Sequence, residues 1–378
     1  MDIQEVISAL KNQNFNLQEK YCIVCGNIMP LETIEQMGYE DFALTVKEKI
    51  PVKLYKYFPN KWEIQNNRPV NYSLIALKNN TVYMQSPDLF DDVYDSSIHI
   101  EWDDYAYLRL QEYCKRCQCT LSNKAEFGEM LYSLSNALWS TYNSNQNIYA
   151  AFKGKNEIEN LSNQVFANRV LIFLETTHDW NNAIINSLQE EYNEYVKNLQ
   201  QTFRTTCFAT TPFSQLMWGG SYADCHRGFC IEYTIQVKTE DLKKLYLNLF
   251  PMIYCSVRPN ITKEIIEAKD TKMSEKNLWD IYFHGALRKS IDWAYQDEWR
   301  LLLPFRKTDR NFNLPFFPIS KVYLGNRMNK ENRQEVIEIC KQKGIPYIGV
   351  MKDHDKFQMK ECNILCEECP NYKLPNNY

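Results

Sequence analysis

Trp293-Ala-Tyr-Gln-Asp-Glu-Trp-Arg-Leu-Leu-Leu-Pro304 is the stretch on which the reading of this chain turns. Its first half reads as a helix end and its second half as a strand. Side chains alternate between the faces of a strand, so Glu298 and Arg300 share one face and Trp299 and Leu301 the other. A carboxylate and a guanidinium at the mouth of a buried strand suit two purposes. They are catalytic charges, or they are a structural ion pair in which Glu298 meets Arg300 or Lys289 and pins the strand to the preceding helix.

Working outward, Lys53–Tyr57, Thr81–Gln85, Phe203–Thr210, Gly228–Ile235, Pro251–Val257, Ile319–Leu324 and Ile345–Met351 have strand composition. A short helix is expected over Ser214–Tyr222 and longer ones over residues 275–292 and 329–343. Gly344 stands where a left-handed helix cap belongs. Residues 101–205 are mostly helical. Phe127, Leu131, Leu134 and Leu138 recur at helical spacing, as do Ile185, Leu188, Tyr192, Tyr195, Leu199 and Phe203. The pattern is α+β: a central mixed or antiparallel sheet, helices segregated around it, and a helical insertion over about residues 101–205. The expected division is a small helical leader over residues 1–50, a main domain over 51–351 and a Cys-rich tail over 352–378. Neither a Rossmann glycine fingerprint nor a P-loop is present.

With 378 residues and 44% hydrophobic content, the chain can bury a sizeable core. Its net charge of −4 and lack of a basic run encode no bulk attraction to nucleic acid or membrane. The N-terminus lacks a charged and apolar leader, and no apolar run reaches the roughly 18 residues a membrane helix needs. A cytoplasmic protein is expected, with its thirteen cysteines as reduced thiols, small buried side chains or metal ligands.

Three constellations carry chemistry. The first runs from Cys207-Phe208 through Met217-Trp218, Tyr222 and His226 to Gly228–Tyr233. His226 is placed to bind a phosphate or a ribose, and Trp218 and Tyr222 to stack on a flat ring. Equally, the two aromatics are core residues one helical turn apart and His226 a surface turn residue. The second is the acidic loop Asp88, Asp91, Asp92 and Asp95. With Glu298 or Asp224 it suits a Mg²⁺-dependent nuclease, or its carboxylates cap backbone N–H groups. The third is cysteine. Cys22-x-x-Cys25 and Cys366-x-x-Cys369 each have the spacing of half a zinc knuckle, so one structural zinc would tie the chain's ends together; otherwise they are free thiols. Cys114-x-x-Cys117-x-Cys119 fits one helix face less well.

Leu54–Tyr57, Ser86–Asp95, Cys207-Phe208, Met217–Asp224, Gly228–Tyr233 and Trp293–Arg300 occur in order. Over roughly residues 52–330 they resemble a widespread bacterial domain family of unknown function. Departures are Asp91 and Val93, where the family has Asn and Pro, and Gly219-Gly220-Ser221, which replaces a Ser-His pair and so removes a histidine. The layout is similar to NAD-dependent ADP-ribosyltransferases, with Gln296-Asp297-Glu298 matching their late Gln/Glu-x-Glu motif. That resemblance implies an ADP-ribosyltransferase-like core with NAD as substrate. Glu298 would be the catalytic carboxylate, with His226 as a second catalytic residue. Lys56 or Arg300 would lie at the pyrophosphate, and Tyr55, Tyr57, Trp218 or Tyr222 against the rings. A bacterial toxin or antiphage-defence effector is the expected setting. Its target is a protein or a nucleic acid, with a partner protein or a second copy as further company. A metal-dependent nuclease using Asp92, Asp95 and Glu298, or a non-catalytic sensor or binding module, are the alternatives.

Overall fold

The structure is a computed structural model. It describes residues 20–90, 92, 94–96, 99–116, scattered positions between 129 and 172, 180–258, 260–262, 281, 283–304 and 310–362. The chain divides into two compact units. The first comprises Met1–Ser96, Gln200–Val257 and Ala286–Tyr378; the second comprises Ser97–Leu199 and Arg258–Gly285.

The first unit holds the strands. They are β1 (Tyr21–Val24), β2 (Asn27–Pro30), β3 (Lys53–Phe58), β4 (Glu63–Gln65), β5 (Arg68–Val70), β6 (Thr81–Met84), β7 (Phe203–Phe208) and β8 (Phe229–Thr234). Then come β9 (Leu249–Pro251), β10 (Ile253–Cys255), β11 (Arg288–Ser290), β12 (Trp299–Pro304), β13 (Phe312–Pro315), β14 (Ile319–Leu324), β15 (Tyr347–Lys352) and β16 (Met359–Glu361). They form a mixed sheet β16-β15-β14-β8-β3, an antiparallel sheet β7-β12-β9, a mixed sheet β11-β10-β1-β2, and the pairs β13-β6 and β4-β5. The fold is therefore α+β, with several sheets where one central sheet was expected.

Alternation along β3 shows how the sequence places its core. Leu54 and Phe58 enter the larger apolar cluster, with Ile231, Trp299, Leu301 and Val336. Tyr55 and Tyr57 enter a separate cluster with Trp218, Cys230 and Tyr323. A side-chain period of two puts these sets on opposite faces. The β8 strand lies between β3 and β14 and is buried from Phe229 to Tyr233. Where β8 begins, Gly228 is required by crowding: a Cβ there would lie 1.9 Å from the Phe58 carbonyl oxygen.

The helices of this unit are α1 (Leu31–Glu35), α2 (Tyr39–Lys47), α3 (Tyr72–Asn79), α6 (Gln215–Gly219), α7 (Glu240–Leu247) and α8 (Lys330–Lys343); α4 (Trp102–Arg116) belongs to the second unit and α5 (Trp180–Gln200) lies in it up to Leu199. The expected α8 forms as read. Asn329 caps its start, Gly344 closes it at φ +65°, and Val336, Ile337 and Cys340 are buried. In the second unit Arg109 of α4 pairs with Glu191 of α5 at 3.1 Å, and Tyr105 lies against Tyr192.

Two local readings change. The leader is not purely helical: β1 and β2 form a hairpin around Cys25 and Gly26, both at positive φ, a two-residue turn matched to strand twist. β1 also pairs with β10, which builds the leader into a sheet of the first unit. The helix expected over 275–292 stops by Ala286. Arg288–Ser290 is a strand parallel to β10, and a 3₁₀ turn over Ile291–Gln296 leads into β12. Phe127, Leu131 and Leu138, the rest of that helix, and the tail beyond Cys362 lie outside the described residues.

Candidate functional site

Glu298 and Arg300 do share a face. Glu298 sits between Asp297, at φ +41°, and the start of β12, with its backbone held on both sides. Its N–H donates to the Tyr254 hydroxyl at 2.8 Å, and its carbonyl accepts from the Met252 N–H at 2.8 Å. The side chain is then pinned twice. Arg300 Nε donates to Oε1 at 2.6 Å, and Lys289 Nζ donates to Oε2 at 3.1 Å.

Arg300 is 0% exposed and is the hub of the site. Its other donors reach Asp95 through two bonds of 2.8 and 2.6 Å, the Ser96 hydroxyl at 3.0 Å and the Ala286 carbonyl at 2.9 Å. Lys289 also reaches Asp95 at 3.3 Å and donates to Gln296 Oε1 at 3.0 Å. Gln296 Nε2 donates to the hydroxyl of Tyr222, which is exposed. A chain of polar groups therefore runs from Tyr222 through Gln296 and Lys289 to a buried carboxylate.

Burial alone would raise the Glu298 carboxyl, but Arg300 and Lys289 outweigh it and hold the pKa down to about 2. Glu298 is an anion at any physiological pH. Burial would likewise lower Lys289, and Glu298 and Asp95 raise it instead. Cys207 lies opposite Arg300 across β7 and β12; burial, reinforced by Glu298, pushes its thiol up to about 12. Lys56 is half-buried with its ammonium turned onto Thr206 Oγ1 at 2.9 Å and the Cys207 carbonyl at 3.1 Å, and burial lowers its pKa.

The remaining ring residues stand elsewhere. Trp218 is 0% exposed, its indole N–H donates to the Pro212 carbonyl at 2.7 Å, and Tyr57 meets it edge-on at 5.3 Å. The Tyr57 hydroxyl donates to the Thr211 carbonyl at 2.9 Å. Tyr55 is buried in the same cluster. Tyr57 packs on Trp218 and Tyr55 on Tyr323 in this cluster, on the face of β3 opposite Leu54 and Phe58; Trp218 is thus a core aromatic, whereas Tyr222 is exposed. His226 stacks on the other side of this arrangement, parallel to Trp218 at 6.3 Å. It ends a run of three left-handed residues, Asp224, Cys225 and His226, at φ 48°, 52° and 70°. Such a run is costly for residues with a Cβ. Burial, with Arg327 and Lys352, lowers its imidazole pKa. Of the residues expected around one ligand, the structure gathers Glu298, Arg300, Lys56 and Tyr222 by direct or electrostatic contact; it places Tyr55, Tyr57, Trp218 and His226 in and beside the separate aromatic cluster.

The acidic loop behaves in two ways. Asp92 caps its own turn, accepting from the Tyr94 N–H at 2.9 Å. Asp95 is buried in the ion cluster with Glu298, but Arg300 and Lys289 occupy the position between their carboxylates. Among the described residues, no group of three His, Cys, Asp or Glu side chains is arranged to hold a metal ion. Cys22 faces inward with 0% exposure and Cys25 sits in the hairpin turn. Cys366, Cys369, Cys117 and Cys119 lie outside the described residues, so the zinc site has no geometry to set beside it. No described helix is long and apolar enough to cross a membrane.

Residues 217–301 match a family described as protein of unknown function (DUF2971). The DUF2971 span starts at Met217 and ends at Leu301, so it contains the Met217-Trp218, Tyr222–Asp224, Gly228–Tyr233 and Trp293–Arg300 motifs. Leu54–Tyr57, Ser86–Asp95 and Cys207-Phe208 precede it. No curated protein and no solved structure matches the chain. Within the DUF2971 span fall Tyr222, Tyr254, Lys289, Gln296, Glu298 and Arg300; Asp95, which closes the ion cluster, lies outside it.

Two contributors escaped the sequence reading. Tyr254 supplies the hydroxyl that accepts the Glu298 N–H, and a lone tyrosine in a strand gives no warning of that. Glu232 is a second buried carboxylate. It accepts from Ser320 at 2.7 Å and Tyr323 at 2.9 Å and pairs with Lys53 at 2.8 Å. A Glu at the centre of an otherwise apolar strand, Phe229-Cys-Ile-Glu-Tyr233, was the available signal.

Proposed function

We propose that this chain is an NAD-consuming enzyme of the ADP-ribosyltransferase kind, with Glu298 as the carboxylate beside the reacting ribose. The observation that carries this reading is the polar chain Tyr222–Gln296–Lys289–Glu298, which leads from a tyrosine at the surface to a buried carboxylate whose pKa Arg300 and Lys289 hold down. Breaking a nicotinamide–ribose bond builds positive charge on the ribose. A fixed anion lowers that barrier and accepts a hydrogen bond from a ribose hydroxyl. Glu298 needs no deprotonation to do this. Lys56 adds positive charge of the kind a pyrophosphate requires, and Gln296, two residues before Glu298, links Lys289 to Tyr222. A toxin or defence effector is the setting proposed for this activity.

The test is nicotinamide release from NAD by the purified full chain. Release is expected from the natural protein and its loss from Glu298→Gln, with circular dichroism showing that the variant folds. Undiminished release by folded Glu298→Gln would remove Glu298 from the chemistry.

A second reading has its own observation. Both Glu298 oxygens are already engaged, by Arg300 and by Lys289. That favours a fastening role for the ion cluster in a non-catalytic binding module. Absence of nicotinamide release, together with a large loss of stability in Glu298→Gln, is the result this reading expects.

A further inference from the structure

Cys22 and Cys255 face each other outside the ion cluster. The two-residue turn at Cys25 and Gly26 makes Val24 and Asn27 the closing pair of the hairpin. The backbone groups of Val24 and Cys22 therefore point to β2, and those of Ile23 point to β10. β10 agrees from its own side. The Ile253 N–H donates to the Leu287 carbonyl, away from β1, which leaves Tyr254 to bond with Ile23. Cys22 and Cys255 are thus directly opposed at a non-hydrogen-bonded position. At such positions the side chains share a face and the Cα atoms stand about 4.5 Å apart. A disulfide spans about 4.4–6.8 Å between Cα atoms.

We infer that Cys22 and Cys255 are a redox-sensitive dithiol that closes to a cross-strand disulfide when the protein meets a peroxide. The Cα spacing expected at such a position lies within the range the bond spans, so closure needs little movement of either strand. The surroundings divide the labour. Burial raises both thiols, Cys22 to about 11; the charge of Arg288 pulls both back, and at Cys255 a hydrogen bond from Arg288 adds to it. Cys255 is the attacking thiol, because a neighbouring cation favours the thiolate. Its sulfur attacks a hydrogen peroxide oxygen, the O–O bond breaks, and hydroxide leaves and takes a proton as water. The Cys22 sulfur then attacks the sulfenic sulfur, the S–O bond breaks, and a second water leaves. Two thiols lose two electrons and the peroxide gains them.

The bond would fix β1 to β10, the strand whose Tyr254 holds the Glu298 N–H, and β10 in turn pairs with β11, which carries Lys289. The inference does not depend on NAD chemistry. It is tested on the full chain treated with hydrogen peroxide, denatured, alkylated and mapped by peptide mass. The expected result is a linked Cys22–Cys255 peptide pair that has lost two hydrogens, returns to free thiols under a reductant, disappears in Cys22→Ser and in Cys255→Ser, and persists in Cys25→Ser. Free Cys22 and Cys255 in samples whose exposed Cys225 is fully oxidised would overturn it. So would a Cys22–Cys25 bond, or oxidation of either thiol to a sulfinic acid without linkage.

Discussion

Glu298 and Glu232 are both buried, both ionised below the usual carboxylate range, and both on or beside strands of the first unit, yet their charge is balanced differently. Glu298 is neutralised from within, by an Arg300 that is fully enclosed and a Lys289 nearly so. Glu232 is neutralised from the edge. Two hydroxyls bond it, and its cation, Lys53, has a side chain that is 51% exposed. An enclosed cation cannot be replaced by water when it is removed; an edge cation can. Enclosure therefore turns an ordinary ion pair into a part whose loss is felt by every charge around it.

Replacing Arg300 with Met should produce the largest effect. It leaves Asp95 and Glu298 buried without their guanidinium, at an expected cost of about 3–5 kcal/mol read from urea unfolding. A cost near that of a surface substitution would show that water reaches the cluster and that the contrast with Glu232 is false.

Acid should come next. Glu298 has a folded pKa of about 2 against an ordinary 4.5, so its contribution is complete above pH 4.5 and drains as pH falls from there toward about 2. Acid unfolding of the natural chain should steepen in that window, and the Arg300→Met variant should lose most of the steepening. A pH-independent difference between the two proteins would mean that the ion pair does not control the titration.

The smallest effect belongs to Lys53→Ala. A half-exposed partner screened by water is worth about 1 kcal/mol or less, and raising salt should shrink it further. If this variant rivalled Arg300→Met, enclosure would not be what separates the two sites.

Much of this was legible in the sequence where the information is local. The period of two put Glu298 and Arg300 on one face, and Gly344 marked the end of α8; Asn329, read as the first residue of that helix, is its N-cap. α7 was legible but unread: Thr239 caps it, and Glu240 and Asp241 fill its first turn. What could not be read is contact across long separations. Asp95 meets Arg300 from 205 residues away, and Tyr254 meets Glu298 from 44. The helix expected over 275–292 failed for a related reason. Leu287 and Arg288 are helix formers, and only the neighbouring β10 makes a strand of Arg288–Ser290.

The bonds of Arg300 to Ser96 and Ala286 have a practical meaning for anyone who trims this chain. Ser96 is the last residue before the chain first leaves the first unit, and Ala286 is the first after its second return. One guanidinium holds an exit and a re-entry of the polypeptide. A shortened protein that splices out residues 97–199 or 258–285 must therefore make its joins beyond Asp95, Ser96 and Ala286. A join even slightly inside them would unseat Arg300, and a deletion made far along the sequence from Glu298 would act as a mutation of its nearest neighbour.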